Sequence, residues 1–240
     1  MMSNKQSVKP IVAIKALKQL IANPEDTQKV FEIIEAMAGD STRKSGQRFS
    51  ASPSGQRILS RDASLLDTLV DRDRLQAMAP DSLGHAYLHF LDSEQLSADG
   101  LVEASDAVRM NKHEDQALRR FETRQRDQHD LWHVTTGYGR NVAGEASLLA
   151  FTYAQTRNRG LGVIAIVGAL KLSKNYGLSI FKSLWQGYSL GKAAAWLPQQ
   201  EWETLLPLPL VQVRELLNVG TPSAYFALSS AREAHLAQSV

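Results

Sequence analysis

Two histidines and two carboxylates lie close together in the middle of the chain. His129 and His133 are four residues apart, and on a helix that spacing places both imidazoles on one face. Asp130 follows the first histidine directly, and eleven residues separate His133 from Glu145. Together they offer two nitrogen and two oxygen ligands, enough for a tetrahedral metal site or for a larger shell with open positions. The spacing therefore predicts a divalent-metal site.

Other interpretations of this cluster stay open on the residues alone. A histidine near the carboxyl end of a helix is also favourable without metal, because its charged form complements the helix dipole. With metal, a protease would need Glu where this chain has Asp130, and an HD-type phosphohydrolase would need a further upstream His and a downstream Asp. A non-haem iron oxygenase needs only two His and one carboxylate. His85 and His89 are also four apart, and we interpret them as a partly buried helix face.

The local elements must bring the four side chains together. We predict a long helix over 114–137, ended by the glycines of the segment TTGYGR at 135–140, and a second helix over 141–157. A helix hairpin of this kind returns Glu145 to the side of His133. The hairpin is therefore the element on which the predicted metal site depends.

The rest of the chain indicates an all-α, single-domain helical bundle, since no convincing alternating stretch and no internal repeat is present. We predict an amphipathic helix over 10–22, whose stripe (Ile11, Ile14, Leu17, Leu20, Ile21) docks on the core or, alternatively, rests on anionic lipid. Residues 160–175 are predicted as helix or buried strand. Further helices are expected over 24–39, 62–78, 78–96, 177–196 and 199–218, with a polar loop over 39–57. The domain spans 10–220, and 221–240 form a weakly ordered tail.

Composition sets limits on the function classes. The chain has 240 residues, is 43% hydrophobic and carries a net charge of +2, so nothing in the total charge argues for nucleic acid. It has no cysteine, which excludes disulfides, thiolate catalysis and cysteine-based zinc sites. The longest apolar run, 160–173, is too short to span a bilayer, and neither a signal peptide nor a clear transit peptide is evident. We therefore expect a protein that is cytosolic or attached to a membrane surface.

The segment RDQHDLWHVTTGYGRNVAGEA (126–146) resembles the signature of the Coq4 family of coenzyme Q (ubiquinone) biosynthesis proteins. The similarity rests on the His-Asp-x-x-His group, the eleven-residue spacing and the Gly-Glu pair. Flanking segments agree, namely SGQRILSRDASL, LQAMAPDSLGHAYLHFL and AFTYAQTRNRGLGVIAIVGALKLS. The segment GYGRNVAGE replaces the more usual Leu-Pro-Thr-Asn loop. The resemblance covers about residues 10–220.

This resemblance implies a helical protein that acts late in ubiquinone synthesis. With no clear transit peptide, it is expected to be a bacterial-type protein, bound peripherally at the cytoplasmic side of the inner membrane. It implies metal-dependent, oxidative decarboxylation of a polyprenylated hydroxybenzoate, a lyase activity coupled to ring hydroxylation, with a non-catalytic lipid-binding scaffold for the pathway's enzymes as the alternative. The implied metal ligands are His129, Asp130, His133 and Glu145, with zinc named first and iron or another divalent ion as alternatives. The implied partners are the prenylated quinone precursor, a membrane surface and other pathway enzymes, with a homo-oligomer as a further option.

Chemical roles can be assigned within this frame. Asp130 or Glu145 could move a proton, and so they are the candidate catalytic residues. Arg126 and Arg140 flank the cluster and could pair with the substrate carboxylate, although solvent-facing arginines need no such role. The prenyl tail would require an apolar crevice, lined by the run LGVIAIVGAL or by the N-terminal stripe.

Overall fold

The computed structural model describes residues 7–23, 26–98 and 115–237. Its regular elements there are helices, apart from an isolated antiparallel bridge between Ser82 and Pro209. The helices are α1 (Pro10–Ala22), α2 (Thr27–Ala38), α3 (Ser41–Ala51), α4 (Pro53–Leu59), α5 (Leu65–Leu69), α6 (Arg72–Gln76), α7 (Leu83–Ser93), α8 (Gln116–Asp127), α9 (His129–Thr136), α10 (Val142–Thr156), α11 (Arg159–Tyr176), α12 (Ser179–Ala193), a 3-10 turn (Leu197–Gln199), α13 (Trp202–Leu205), α14 (Leu210–Leu216) and α15 (Ser223–Ala237). The predicted all-α class is confirmed.

The centre of the fold is the packing of α10 against α12. Gly187 and Gly191 lie one turn apart on α12, where an added Cβ atom would lie 2.5 Å from the Ser147 carbonyl oxygen and 2.6 Å from that of Phe151. The two backbones can approach this closely only because both positions lack side chains. The buried Ser147 and Ser183 hydroxyls hydrogen-bond across the same contact at 2.8 Å. This pair forms a fixed support for the start of α10, which carries Glu145.

The N-terminal helix docks on the core with only part of the stripe that the sequence predicts. Its buried residues are Ala13 and Ala16, which pack with Ile33 and Ile164 in a separate small core. Ile11, Ile14 and Ile21 are 72%, 53% and 47% exposed. Leu17 and Leu20 pack against this core, so the expected docking is right for the leucines and wrong for the isoleucines. The reason is that α1 meets α2 through the face that carries its two buried alanines.

The polar segment 39–57, predicted as a loop, is mostly helical. Phe49 of α3 is buried, with its ring centroid 5.2 Å from that of Phe121 on α8. At Gly46 an added Cβ atom would lie 2.6 Å from a methyl of Leu118. Gly46 thus serves close packing of α3 against α8, and such tertiary contacts outweigh the low helix propensity of the segment.

Three further predictions change in detail. The long helix over 114–137 is divided at Gln128, which ends α8 with φ −85° and ψ 1°. The ambiguous segment 160–175 is helical throughout. The tail expected to be weakly ordered contains α15, where Tyr225 and Leu228 are buried. The domain limits at 10–220 and 221–240 stay a prediction, and residues 99–112, for which the sequence predicts nothing definite, lie outside the described ranges.

Candidate metal centre

Helix α9 presents the two histidines and is held firmly at both ends. His129 is its first residue, following Gln128, whose side-chain oxygen accepts a hydrogen bond from the buried Trp202 indole. Gly137 ends the helix with φ +80°, a conformation that favours glycine. The guanidinium of Arg214 donates to the carbonyl oxygens of Val134 and Thr135 at 3.0 and 2.9 Å. These contacts satisfy carbonyls that the helix end leaves free and place a cation at its negative pole.

The His133 ring is fixed through both of its nitrogens. Nδ1 lies 2.9 Å from the carbonyl oxygen of Tyr138, an acceptor, so this nitrogen carries the donated proton. Nε2 then faces Nε2 of His129 at 3.3 Å and Oε1 of Glu145 at 3.5 Å. The ring of Phe90 stacks on the imidazole with a centroid distance of 5.6 Å. The hairpin thus brings Glu145 beside His133, as the sequence predicts.

The donor set fits a divalent cation. Two nitrogens that are each about 2.05 Å from a tetrahedral zinc ion lie about 3.3 Å apart, the separation observed between the two Nε2 atoms. Candidate ligand atoms of His129, Asp130 and His133 all lie within 4.8 Å of one another. The hydrogen bond from Nδ1 of His133 to a backbone carbonyl is the outer contact that orients metal-binding histidines.

Glu145 is aimed by the tight turn between α9 and α10. Asn141 caps α10, its side-chain oxygen accepting from the Gly144 amide at 2.9 Å. At Gly144 an added Cβ atom would lie 2.0 Å from the Gly139 carbonyl oxygen, so only glycine allows the turn to fold onto the first turn of α10. The Tyr225 hydroxyl of α15 accepts a hydrogen bond from the backbone amide of Gly139 at 3.1 Å and another from the side-chain Nδ2 of Asn141 at 2.8 Å. A residue from the expected tail therefore holds the hairpin turn.

Burial and the charges of neighbouring side chains shift the pKa values of His129, His133 and Glu145. Burial disfavours charge on His133, but the hydrogen bond and charge of Glu145 outweigh burial and raise the pKa of the imidazole. Burial would raise the pKa of the Glu145 carboxyl, yet the hydrogen bond and charge of His133 lower it. Burial, followed by the neighbouring His133, lowers the pKa of His129. Without metal, both shifts favour a charged His133 beside an ionised Glu145, and a cation bound at His133 would compete with its proton.

Tyrosines that sequence reasoning missed surround the cluster. Burial, with the nearby charges of Asp130 and Asp127, raises the pKa of Tyr87. Burial also raises the pKa of Tyr138, whose hydroxyl has no hydrogen-bond partner among the described residues. Both phenols therefore stay neutral donors at physiological pH. Neither Tyr87 nor Tyr225 could be found from spacing, because each reaches the site from a helix distant in sequence.

The remaining candidates fall in different places. Arg140 lies at the rim, 37% exposed, with Nε 3.8 Å from Oε1 of Glu145. Arg126 is directed at its neighbour Asp127, 2.9 Å away, and both side chains are buried. His89 is exposed, and His85 is partly buried with Nε2 3.4 Å from the amide nitrogen of Gln76. The structure therefore places Arg140, and not Arg126, in contact with a predicted ligand.

Comparison with known proteins gives the chain a family. A sequence profile of the "Coenzyme Q (ubiquinone) biosynthesis protein Coq4" matches residues 3–223. The mitochondrial ubiquinone biosynthesis protein COQ4 of Podospora anserina is 29% identical over 180 residues, covering 72% of this chain and 56% of that protein. The corresponding protein of Clavispora lusitaniae is 28% identical over 203 residues, covering 83% and 61%. The chain thus spans less than two thirds of the length of these relatives.

A solved structure supports the fold. The crystal structure of a candidate ubiquinone biosynthesis protein from Nostoc punctiforme superposes with a TM-score of 0.63 over 90% of this chain and 100% of that one, at 19% identity. The prediction of a bacterial-type placement at the cytoplasmic side of an inner membrane is contradicted by the curated relatives, whose names place them in mitochondria. Within the described ranges, no helix has the length and apolar character needed to cross a membrane.

Proposed function

Because the chain belongs to the Coq4 family of coenzyme Q (ubiquinone) biosynthesis proteins, we propose that it is the metal-dependent decarboxylase of a polyprenylated hydroxybenzoate. The observation that carries this proposal is the convergence of His129 and His133 through Nε2 atoms 3.3 Å apart, with Glu145 3.5 Å from His133. Asp130, next to His129, completes the proposed ligand set. A divalent cation held there would supply positive charge to attract the ring carboxylate and to polarise the phenol.

The side chains around the cluster have separate roles in this proposal. Arg140 at the rim carries a guanidinium that can pair with the incoming carboxylate. The Glu145 carboxylate is 34% exposed, so it can exchange a proton with substrate or water. Phe90 covers one face of the His133 imidazole, and the buried phenol of Tyr87 stays neutral near Asp130. We assign no substrate contact to Arg126, because Asp127 engages it.

The reaction is balanced as follows. The bond between the ring and its carboxyl carbon breaks, and carbon dioxide leaves. If the ring carbon gains a hydroxyl, two electrons pass to dioxygen, which departs as hydrogen peroxide while water supplies the hydroxyl oxygen. Without an oxidant the ring carbon takes up a proton instead. Either product is consistent with the proposed roles of Glu145 and Arg140.

The second candidate is a lipid-binding scaffold for other ubiquinone-biosynthesis enzymes, without turnover. Large exposed apolar side chains favour it, among them Trp185, Leu178 and Ile11. Both candidates place the protein at a membrane surface, where a prenylated substrate resides, and both allow self-association. They differ in whether the histidine cluster is needed for a chemical step.

The test is metal content and carbon dioxide release by the purified protein. A prenylated hydroxybenzoate with a labelled carboxyl group is supplied under air to the wild type, His133→Ala and Glu145→Ala. We expect one divalent ion per chain and release of labelled carbon dioxide in the wild type. Both should fall at least tenfold in the variants, since each removes a proposed ligand.

The matched control is His89→Ala, which removes an exposed histidine from the pair with the same spacing on α7. It should keep metal and activity. A wild type that binds metal but releases no carbon dioxide, while partner enzymes and lipid still bind His133→Ala, would support the scaffold. Activity that survives in both ligand variants would remove the metal centre from the chemistry.

A further inference from the structure

Helix α1 presents to solvent a surface that neither the fold nor the proposed chemistry uses. Ile11, Ile14 and Ile21 lie on its outer side together with Lys15 and Lys18, and we name these five residues the α1 face. The helix contains no acidic residue. Large apolar side chains interspersed with lysines and no acids form the pattern of an interfacial helix on an anionic membrane.

The neighbouring helix extends the apolar surface. Nζ of Lys171 on α11 donates to the carbonyl oxygen of Ile21 at 3.2 Å, which brings the end of α1 beside the C-terminal half of α11. Leu170 is adjacent to this lysine, and Ile166 is one turn earlier. Both are more than half exposed. The exposed apolar residues therefore lie on two helices in contact.

A cationic cleft opens at the other end of α1. It has a volume of about 650 Å³, and Ser7 and Val8, which directly precede α1, line one side of it. Four cationic side chains line the cleft: Lys44, Arg48, Arg157 and Arg159. The acid that also lines it, Asp40, lies 3.3 Å from Arg43. None of the predicted metal ligands lines this cleft, so it is distinct from the histidine cluster.

We propose that the α1 face docks on an anionic membrane surface, with the adjoining cleft receiving a phospholipid headgroup. Charge complementarity selects this occupant, because lysines flank the isoleucines and four cations surround the cleft. A cleft of this size admits a phosphate group with its glycerol, while the isoleucines enter the boundary of the acyl chains. The proposal deepens the peripheral membrane part of the proposed function and rests on it, naming the surface that makes the contact.

Vesicle co-sedimentation tests the apolar part. The full chain is mixed with phosphatidylcholine vesicles containing 30% phosphatidylglycerol, a composition chosen for the assay. The double variant Ile14→Asp/Ile21→Asp should bind about 100-fold more weakly, since each isoleucine contributes about tenfold. The matched control is Val211→Asp/Leu216→Asp, at comparably exposed apolar positions on α14. The control should bind like the wild type.

Two further arms test the charged part. Lys15→Gln/Lys18→Gln, at exposed positions away from the core, should bind the anionic vesicles about 25-fold more weakly, since each cation contributes about fivefold. Lys44→Gln/Arg159→Gln should weaken binding similarly through the cleft. Wild-type binding that is equal on pure phosphatidylcholine, or equal losses in the control variant, would overturn the proposal. A dimer that dissociates in the isoleucine variant without any vesicle binding would assign the α1 face to self-association instead.

The outcome can be separated from the fate of the catalytic proposal. The isoleucine variant should keep its metal, because the α1 face contributes none of the proposed ligands. His133→Ala should keep vesicle binding while losing metal. If the wild type binds vesicles through the α1 face but releases no carbon dioxide, the catalytic proposal fails and the membrane surface stands. If the wild type releases carbon dioxide but does not bind vesicles, the membrane surface fails and the catalytic proposal stands.

Discussion

Replacing Tyr225 by Phe tests whether helix α15 holds the metal hairpin in shape. The substitution removes one oxygen atom and leaves the ring, whose centroid is 5.4 Å from that of Tyr138. The lost hydroxyl accepts hydrogen bonds from the Gly139 amide and the Asn141 side chain. The turn that joins the two ligand-bearing helices would therefore lose its contacts to α15.

The magnitude follows from the exposure of the two donors. A buried donor left without an acceptor costs about 1 to 3 kcal/mol. Asn141 is exposed and Gly139 only half-buried, so water can replace much of what is lost. We expect a decrease of about 1 to 2 kcal/mol in the free energy of unfolding. In a protein of this size that corresponds to a melting temperature lower by about 2 to 8 °C.

The second consequence concerns metal affinity. The same turn carries the Tyr138 carbonyl that accepts the His133 proton, and it sets the approach of Glu145. Outer contacts of this kind change metal affinity by about 10- to 100-fold when removed. Tyr225 contacts the turn and not a proposed ligand itself, so we expect Tyr225→Phe to lower metal affinity by about tenfold, the low end of that range. Competition with a chelator of known affinity measures this change.

Tyr188→Phe serves as the matched control, since its hydroxyl accepts from an exposed Arg157 at 3.1 Å. It should change the free energy of unfolding by less than about 0.5 kcal/mol and leave metal affinity unchanged. An unaltered melting temperature and metal affinity in Tyr225→Phe would show that α15 does not hold the turn. Equal decreases in melting temperature and metal affinity in Tyr225→Phe and Tyr188→Phe would show that losing a tyrosine hydroxyl destabilises the protein without a specific role of the hairpin.

Two further predictions concern the same turn and its charges. Gly144→Ala should lower the free energy of unfolding by about 3 kcal/mol or more in chemical denaturation, because its Cβ atom would overlap the Gly139 carbonyl. The control is Gly168→Ala, where nothing lies within 4 Å of an added Cβ atom, and it should be neutral or slightly stabilising. A similarly small effect at both positions would refute the close approach at Gly144. In metal-free protein, the stability difference between wild type and Glu145→Gln should be largest between the ordinary pKa values of 4.5 and 6.5. It should shrink below this window as Glu145 is protonated through its lowered pKa, and above it as His133 loses its proton through its raised pKa; a difference independent of pH would contradict the ion pair.

The structure shows why the sequence predicts some elements well and others poorly. The two glycines after α9 and the spacing from His133 to Glu145 are local signals, and the hairpin they predict is present. The amphipathic stripe of α1 is right for Leu17 and Leu20 but wrong for its isoleucines, because periodicity identifies an apolar face but not the neighbour it meets. The serine- and glycine-rich segment 39–57 also misleads, because its composition suggests a loop. In the structure Gly46 and Gly55 instead lie at close contacts of helices α3 and α4.

The sequence by itself determined the helical class, because helical periodicity runs along the chain. It also determined the hairpin and the residue types of the candidate metal site, because these depend on spacing within one short segment. The tertiary structure alone decided which groups enclose that site. Tyr225, Arg214 and Phe90 come from helices that are distant in the chain from the hairpin, and their contacts exist only once the helices have packed. It also decided that the isoleucines of α1 face outward, since the direction of an apolar side chain depends on the space that its neighbours leave.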